Sequence, residues 1–185
     1  CEVTSGAPTP VAIKVVEEAK KAHAILGVSE SLFLELPVVD LHLIPTREKN
    51  KPFIELVERV NPDIAFIPHH GDLHTDHATT AGSAMVALRP MHAPNLKALY
   101  AYETLSESEW NVPDGAHAFI PNTWCDITDT MDIKLKAMAC YETQLRPFPH
   151  PRSLEAIEAQ AKVRGSTVCL ERAEAFIQLR GVLSF

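Results

Sequence analysis

The 185 residues contain no run of Lys and Arg, no apolar stretch near the roughly 20 residues that cross a bilayer, and no Cys-x-x-Cys pair. Each absence closes a class of function. Lys and Arg total 17 against 24 Asp and Glu, a net charge of -7, so a phosphate backbone has no basic surface to meet and nucleic acid is not an expected partner. With no spanning segment, and no charged start followed by an apolar stretch, the chain reads as soluble and cytoplasmic. Cys1, Cys125, Cys140 and Cys169 stand far apart, which argues against a thiolate zinc site or a redox pair and favours free or buried thiols. There is also no repeat, low-complexity tract or Gly/Ser linker. Residues 1–185 therefore read as a single domain, and a 46% hydrophobic content is enough for one sizeable core.

What is present alternates helical and extended signals. Val11, Val15, Ala19, Ala22, Ile25 and Leu26 recur at helical spacing between Pro10 and a stop at Gly27. Ser31 to Pro37 reads as a short strand, and Phe53 to Val60 returns to helical period. After the break Asn61-Pro62-Asp63, the run Ile64-Ala65-Phe66-Ile67 is unalternating, as in a strand buried on both faces, and is expected near the centre of a sheet. His77 to Leu88 is expected as a helix, Leu96 to Glu103 and Ala118 to Ile120 as strands, and Met131 to Gln144 as a helix capped from Asp126 to Asp129. A last helix opens at Ser153 and stops near Gly165. Helices between strands supply the long connections that parallel pairing needs, which gives an α/β architecture with an open, mainly parallel sheet. Ligands in such sheets gather beyond the carboxyl ends of the strands, and this directs attention to the residues after Ile67.

There the chain reads Pro68-His69-His70-Gly71-Asp72-Leu73-His74-Thr75-Asp76-His77, with six imidazoles or carboxylates in the nine positions from His69 to His77. Imidazole is the commonest metal ligand, and a carboxylate on its second nitrogen fixes its tautomer and direction; interleaved Asp and His provide both. The bland alternative is a solvated, His-rich turn. His74 and His77 are three apart, so at a helix start both could face one pocket. They need not both be ligands, because a hydrolytic zinc site keeps a position open for water and an adjacent imidazole can stabilise an oxyanion or protonate a leaving amine. Elsewhere, Asp40-Leu41-His42 could place two polar groups on one face of a strand, but a satisfied structural histidine is the better reading, and Arg47 could meet an anionic part of a substrate but reads better as a solvated loop residue. Tyr102, Trp110 and Trp124 read as packing aromatics that could also stack on a sugar.

Pro68-His69-x-x-Asp72-x-His74-x-Asp76-His77 resembles the second signature of the PIG-L/LmbE family of zinc-dependent N-acetylglucosaminyl deacetylases. Ala24 to Val28, Tyr102 to Trp110, Phe119 to Asn122 with Asp126-Ile127, Lys134 to Tyr141 with Gln144, Arg152-Ser153, Arg164-Gly165 and Ala173 to Phe176 resemble later family segments in the same order. The resemblance implies a Rossmann-like three-layer open sheet and a hydrolase that removes an acetyl group from an N-acetylated amino sugar or its conjugate with the help of Zn²⁺. By position, His77 resembles the zinc ligand, His74 a positively charged oxyanion partner and proton donor, and Asp76 a carboxylate that orients an imidazole. Asp72 would contact substrate or shape the turn. The family's first signature, His-Pro-Asp-Asp-Glu, which brings two further ligands and a general-base Asp, does not occur in these residues. Cys1 to Gly6 resembles the end of the family's second strand and the turn after it, which implies that the first strand is missing from this chain. One family-type ligand cannot close a tetrahedral site, so this chain alone is expected to bind zinc weakly and to be inactive. The competing readings are a non-catalytic sugar- or protein-binding member of the same fold and, further off, a two-metal phosphoesterase, for which one His/Asp cluster offers too few bridging carboxylates. A homo-oligomer is compatible with any of them.

Overall fold

The computed structural model describes residues 1–4 and 10–183; the turn expected at Ser5 and Gly6 lies outside the described residues. In chain order the elements are β1 (Glu2–Thr4), α1 (Pro10–Leu26), β2 (Phe33–Leu36), a 3-10 turn (Leu41–Leu43), α2 (Thr46–Val60), β3 (Ile64–Pro68) and α3 (Thr75–Ala87). They continue with β4 (Ala98–Tyr102), β5 (Thr123–Asp126), α4 (Met131–Ala139), α5 (Leu154–Ser166) and β6 (Ala173–Gly181). These mixed α and β elements divide into two compact units, Cys1–Val38 with Trp124–Ala175, and Val39–Thr123 with Phe176–Phe185. The sequence reading expected one domain. Each unit is assembled from two separated stretches, so no single cut in the chain parts them. Among the described residues no helix is long and apolar enough to cross a membrane.

In the first unit β1 and β2 pair in parallel, Glu2 opposite Phe33, and α1 makes the connection that parallel strands require. Its buried stripe is narrow, Ala19 and Ala22, while Val11, Ile25 and Leu26 remain exposed. α1 stops at Gly27, whose φ of 70° is the left-handed conformation in which a Cβ is unwelcome; Val28 N–H then reaches back to His23 O at 2.9 Å. Glu18 is buried on α1 and satisfied by Thr143, which donates its N–H at 3.1 Å and its hydroxyl at 2.5 Å. α4 packs on α1 and α5 on α4. The cap expected at the start of the last helix is present, with Ser153 Oγ accepting Ala156 N–H at 3.0 Å. α4 ends at Ala139, five residues before the expected Gln144, and the residues that follow form turns.

The second unit holds the chemistry-bearing segment. β3 and β4 are parallel and in register from Ile64 opposite Ala98 to Pro68 opposite Tyr102, and β6 adds antiparallel to β4, with Tyr102 opposite Phe176. Phe66, Tyr100 and Phe176 stack across these strands, centroids 5.2 Å apart for Phe66 and Tyr100 and 5.1 Å for Phe66 and Phe176. α2 packs against α3, with Phe53 and Val57 buried on the former and Ala81, Ser83, Ala84 and Ala87 on the latter. β3 is an edge strand and not the central one expected, with Ile64 52% and Phe66 53% exposed. An unalternating apolar run reports hydrophobicity but not how many neighbours the strand has. Ala118 to Ile120, expected as a strand, is irregular backbone that carries Phe119 against His69, and the extended segment follows instead at Thr123–Asp126.

Candidate functional site

The cluster begins where β3 ends, and the structure sorts its six polar residues by burial. His69 continues the ladder by one residue, its N–H donating to Tyr102 O at 3.0 Å. Its ring is buried and donates from Nε2 to His117 O at 3.0 Å, since a carbonyl can only accept; Nδ1 is enclosed with no partner among the described residues. His70 beside it is exposed. The carbonyl that holds His69 belongs to a turn tied by Asp114, which accepts Ala116 N–H at 2.9 Å and His117 Nδ1–H at 2.8 Å. The Ala116 N–H first, and then the His117 ring, hold the Asp114 carboxyl below the usual carboxylate range. This contribution is therefore complete above that range and is lost as the pH falls through the lowered value.

Gly71 allows the chain to pass this corner. A Cβ here would stand 2.5 Å from both His117 O and His69 Nε2. Gly71→Ala is accordingly expected to break the His69–His117 bond and to destabilise the fold by about 1–3 kcal/mol, the usual range for inserting bulk into a packed site. Urea denaturation measures it, and a midpoint equal to that of the parent would mean that the corner yields without cost.

Asp72 is fully enclosed, and both of its oxygens are in use. Oδ2 accepts from His77 Nδ1 at 2.8 Å, and Oδ1 accepts from Ser108 Oγ at 2.5 Å. His77 remains 31% exposed and presents Nε2. A carboxylate behind one imidazole nitrogen fixes the tautomer and leaves the other nitrogen free to bind, which is the arrangement seen behind metal-bound histidines. Ser108 is supplied by the loop after β4, whose Glu107 O also accepts Leu73 N–H at 3.1 Å. That loop is locked in turn: Ser106, at φ 72°, donates its N–H to Glu109 Oε1 at 2.6 Å.

α3 opens at Thr75 with His74 as its N-cap, a position more often held by Ser, Thr, Asp or Asn. His74 Nδ1 accepts Asp76 N–H at 3.2 Å, an arrangement that leaves Nε2 as the ring's donor. Its ring stacks on that of His77 with centroids 5.2 Å apart and planes at 25°. The two aspartates differ in their partners. The carboxylate bonded to an imidazole is that of Asp72, and it is buried. Asp76 donates its backbone N–H to His74, while its buried carboxylate accepts Val39 N–H at 2.7 Å and leaves Oδ1 without a partner among the described residues. His42 behaves as the sequence implied, with its Nδ1 held by Val39 O at 3.1 Å, and lies on the 3-10 turn.

Among the described residues no three His, Cys, Asp or Glu side chains are grouped to hold a metal ion. The His77–Asp72 pair fits one arm of a zinc shell and does not make a complete one. Ser108 and Val39 were not singled out from the sequence. Ser108 lies in a segment that marked the family resemblance, but its partner is 36 residues away, and nothing in Val39's own neighbourhood indicates where its N–H goes.

The carboxylate-backed imidazole lies in the first turn of α3, beyond the carboxyl end of β3, where ligands gather in open α/β sheets. Residues 9–88 match the model of the PIG-L family, GlcNAc-PI de-N-acetylase. It is 27% identical over 139 residues, 72% of this chain and 51% of the other, to diacetylchitobiose deacetylase of Thermococcus kodakarensis. The chain thus spans about half the length of that curated relative. The crystal structure of N,N'-diacetylchitobiose deacetylase from Pyrococcus horikoshii aligns over 96% of this chain and 70% of its own, with a TM-score of 0.71 and 20% identity. GalB, the 4-carboxy-2-hydroxymuconate hydratase of Pseudomonas putida, aligns over 95% and 75%, with a TM-score of 0.72 and 21% identity. At these identities the structures establish the fold alone.

Proposed function

We propose that the protein carrying this chain hydrolyses the N-acetyl group of an N-acetylglucosamine-containing substrate, and that Zn²⁺ is its cofactor, with His77 Nε2 as one ligand. The observation that carries this reading is the His77 Nδ1 to Asp72 Oδ2 pair at 2.8 Å with the His74 ring stacked beside it. The diacetylchitobiose deacetylase relative supports the substrate class. When bound at His77, zinc would supply Lewis acidity to the substrate carbonyl. Amide hydrolysis breaks the C–N bond after water adds to the carbonyl carbon, which places negative charge on the former carbonyl oxygen. His74 Nε2–H is the described donor suited to that charge, and its orientation is set in advance by the Asp76 N–H on Nδ1.

The GalB likeness keeps a second reading in view, because the same fold serves a hydratase and a fold does not specify a reaction. Acetate release from N,N'-diacetylchitobiose, measured with the complete protein before and after chelation and again with zinc restored, separates the two. The expected result is release that a chelator abolishes and zinc returns. No acetate from any N-acetylglucosaminyl substrate in the zinc-loaded protein would overturn the proposal in favour of a binding or hydratase role.

A further inference from the structure

Residues 69–74 lie between β3 and α3, and the loop after β4 holds them in shape. Among the described residues, four hydrogen bonds join that loop to the turn. Glu107 O accepts Leu73 N–H at 3.1 Å, Ser108 Oγ donates to Asp72 Oδ1 at 2.5 Å, Asn111 Nδ2 donates to Gly71 O at 2.8 Å, and His117 O accepts from His69 Nε2 at 3.0 Å. The Asn111 amide has one orientation. Gly71 O can only accept, so the amide NH2 faces it, and Val112 N–H can only donate, so Oδ1 faces that group, at 2.8 Å. What Asn111 holds is the peptide that leads into Asp72. Gly71 has no side chain to fix this peptide, and Asp72 N–H makes only a long bond, 3.3 Å, to His69 O. The plane of the peptide aims the Asp72 side chain, and that aim brings Oδ2 to 2.8 Å from His77 Nδ1. Ser108 secures the oxygen that His77 does not use.

We propose that Asn111 is a positioning residue for the deacetylation: through the Gly71 carbonyl and the Asp72 carboxylate it holds the His77 ring in the direction that presents Nε2. It touches neither the substrate nor the reacting atoms. The effect on turnover rests on the deacetylase reading given above, while the hold on His77 does not. Asn111→Asp keeps the size and the acceptor for Val112 N–H but turns an oxygen toward Gly71 O; Asn111→Ala removes both contacts.

The test uses the complete protein and three readouts: solvent exchange of the His77 Nδ1–H proton by NMR in the metal-free state, zinc affinity by competition with a chelator, and steady-state kinetics on N,N'-diacetylchitobiose. In Asn111→Asp the His77 proton should exchange about tenfold faster or more through local opening. The zinc dissociation constant should rise about tenfold, the lower end of the range for groups behind a metal-bound histidine. Turnover should fall by a similar factor with KM nearly unchanged, since binding of the substrate is not altered. Asn111→Ala should move all three in the same direction by less, because water can take the place of the lost donor whereas the aspartate opposes the Gly71 carbonyl. If both variants lower the thermal midpoint yet leave His77 exchange and zinc affinity at the parent's values, Asn111 only braces the loop and the proposal is wrong. Should Asn111→Asp fail to fold, Asn111→Ala carries the same decision. Faster exchange at His77 with kcat unchanged would overturn the link to turnover. A parent that releases no acetate removes the deacetylase reading, and the exchange of the His77 proton still decides whether Asn111 holds the ring.

Discussion

His77→Ala should lose bound zinc and deacetylation together, whereas His74→Ala should keep the metal and lower turnover by about 10² to 10³, the usual loss for one oxyanion donor. The two rings lie side by side at 5.2 Å, so proximity to the reacting group does not distinguish them. Their second nitrogens do. His77 Nδ1 rests on a carboxylate, which makes Nε2 an electron-rich ligand, while His74 Nδ1 accepts a peptide N–H, which leaves Nε2 as a donor. A metal-bound histidine and a hydrogen-bond donor need these opposite settings. Zinc content by elemental analysis and acetate release would be followed in parallel on both variants of the complete protein. Equal loss of zinc from the two would show that His74 is a ligand and that the division is mistaken.

Asp72→Ala should be nearly as damaging, by a different route. It strands His77 Nδ1 and Ser108 Oγ inside the protein, and removing one partner of a buried polar pair costs about 1–3 kcal/mol, more where a charge is involved. Loss of the carboxylate behind a metal-bound histidine typically lowers metal affinity or activity about 10- to 100-fold. Both effects are expected at once, a lower denaturation midpoint and a weaker zinc dissociation constant. Ser108→Ala should reproduce a milder form of the first with little of the second, because His77 keeps its partner. A variant Asp72→Ala with normal zinc affinity would make this aspartate a feature of the turn and nothing more.

Much of this was legible in the letters where the signal is local. Periodicity placed α1 and β3 within a residue or so, and Ser153 announced α5, because the groups that make these elements are neighbours in the chain. α2 began seven residues before its apolar period, since Thr46 to Pro52 is polar and held by the helix it leads into. β6 is poorly marked as a strand even though Glu174, Gln178 and Arg180 alternate with Ala173, Ala175, Ile177 and Leu179, because alanine and glutamate favour strands little. The position of β3 at an edge depends on which strands pair, which no single segment records. At the site, the density of His and Asp located the cluster but not its wiring. Asp72 and Asp76 are four apart and equivalent as letters, and only Ser108 and Val39, 36 and 37 residues away, assign one to an imidazole and the other to a backbone N–H.

The inner face of α3 sets limits on how this protein can vary. Ala81, Ser83, Ala84 and Ala87 bring little apolar area each, so the helix that presents His77 is seated by closeness of approach and not by large anchors. Trimming such a face removes almost nothing, while enlarging it lifts the whole helix, and the imidazole with it. Phe53 and Val57 on α2 have the opposite character, since there the bulk itself is what packs. Sequence drift in descendants of this chain would accordingly run toward smaller residues on α3 and toward shape-preserving exchanges on α2, with the histidines held in place by what their helix is not permitted to gain.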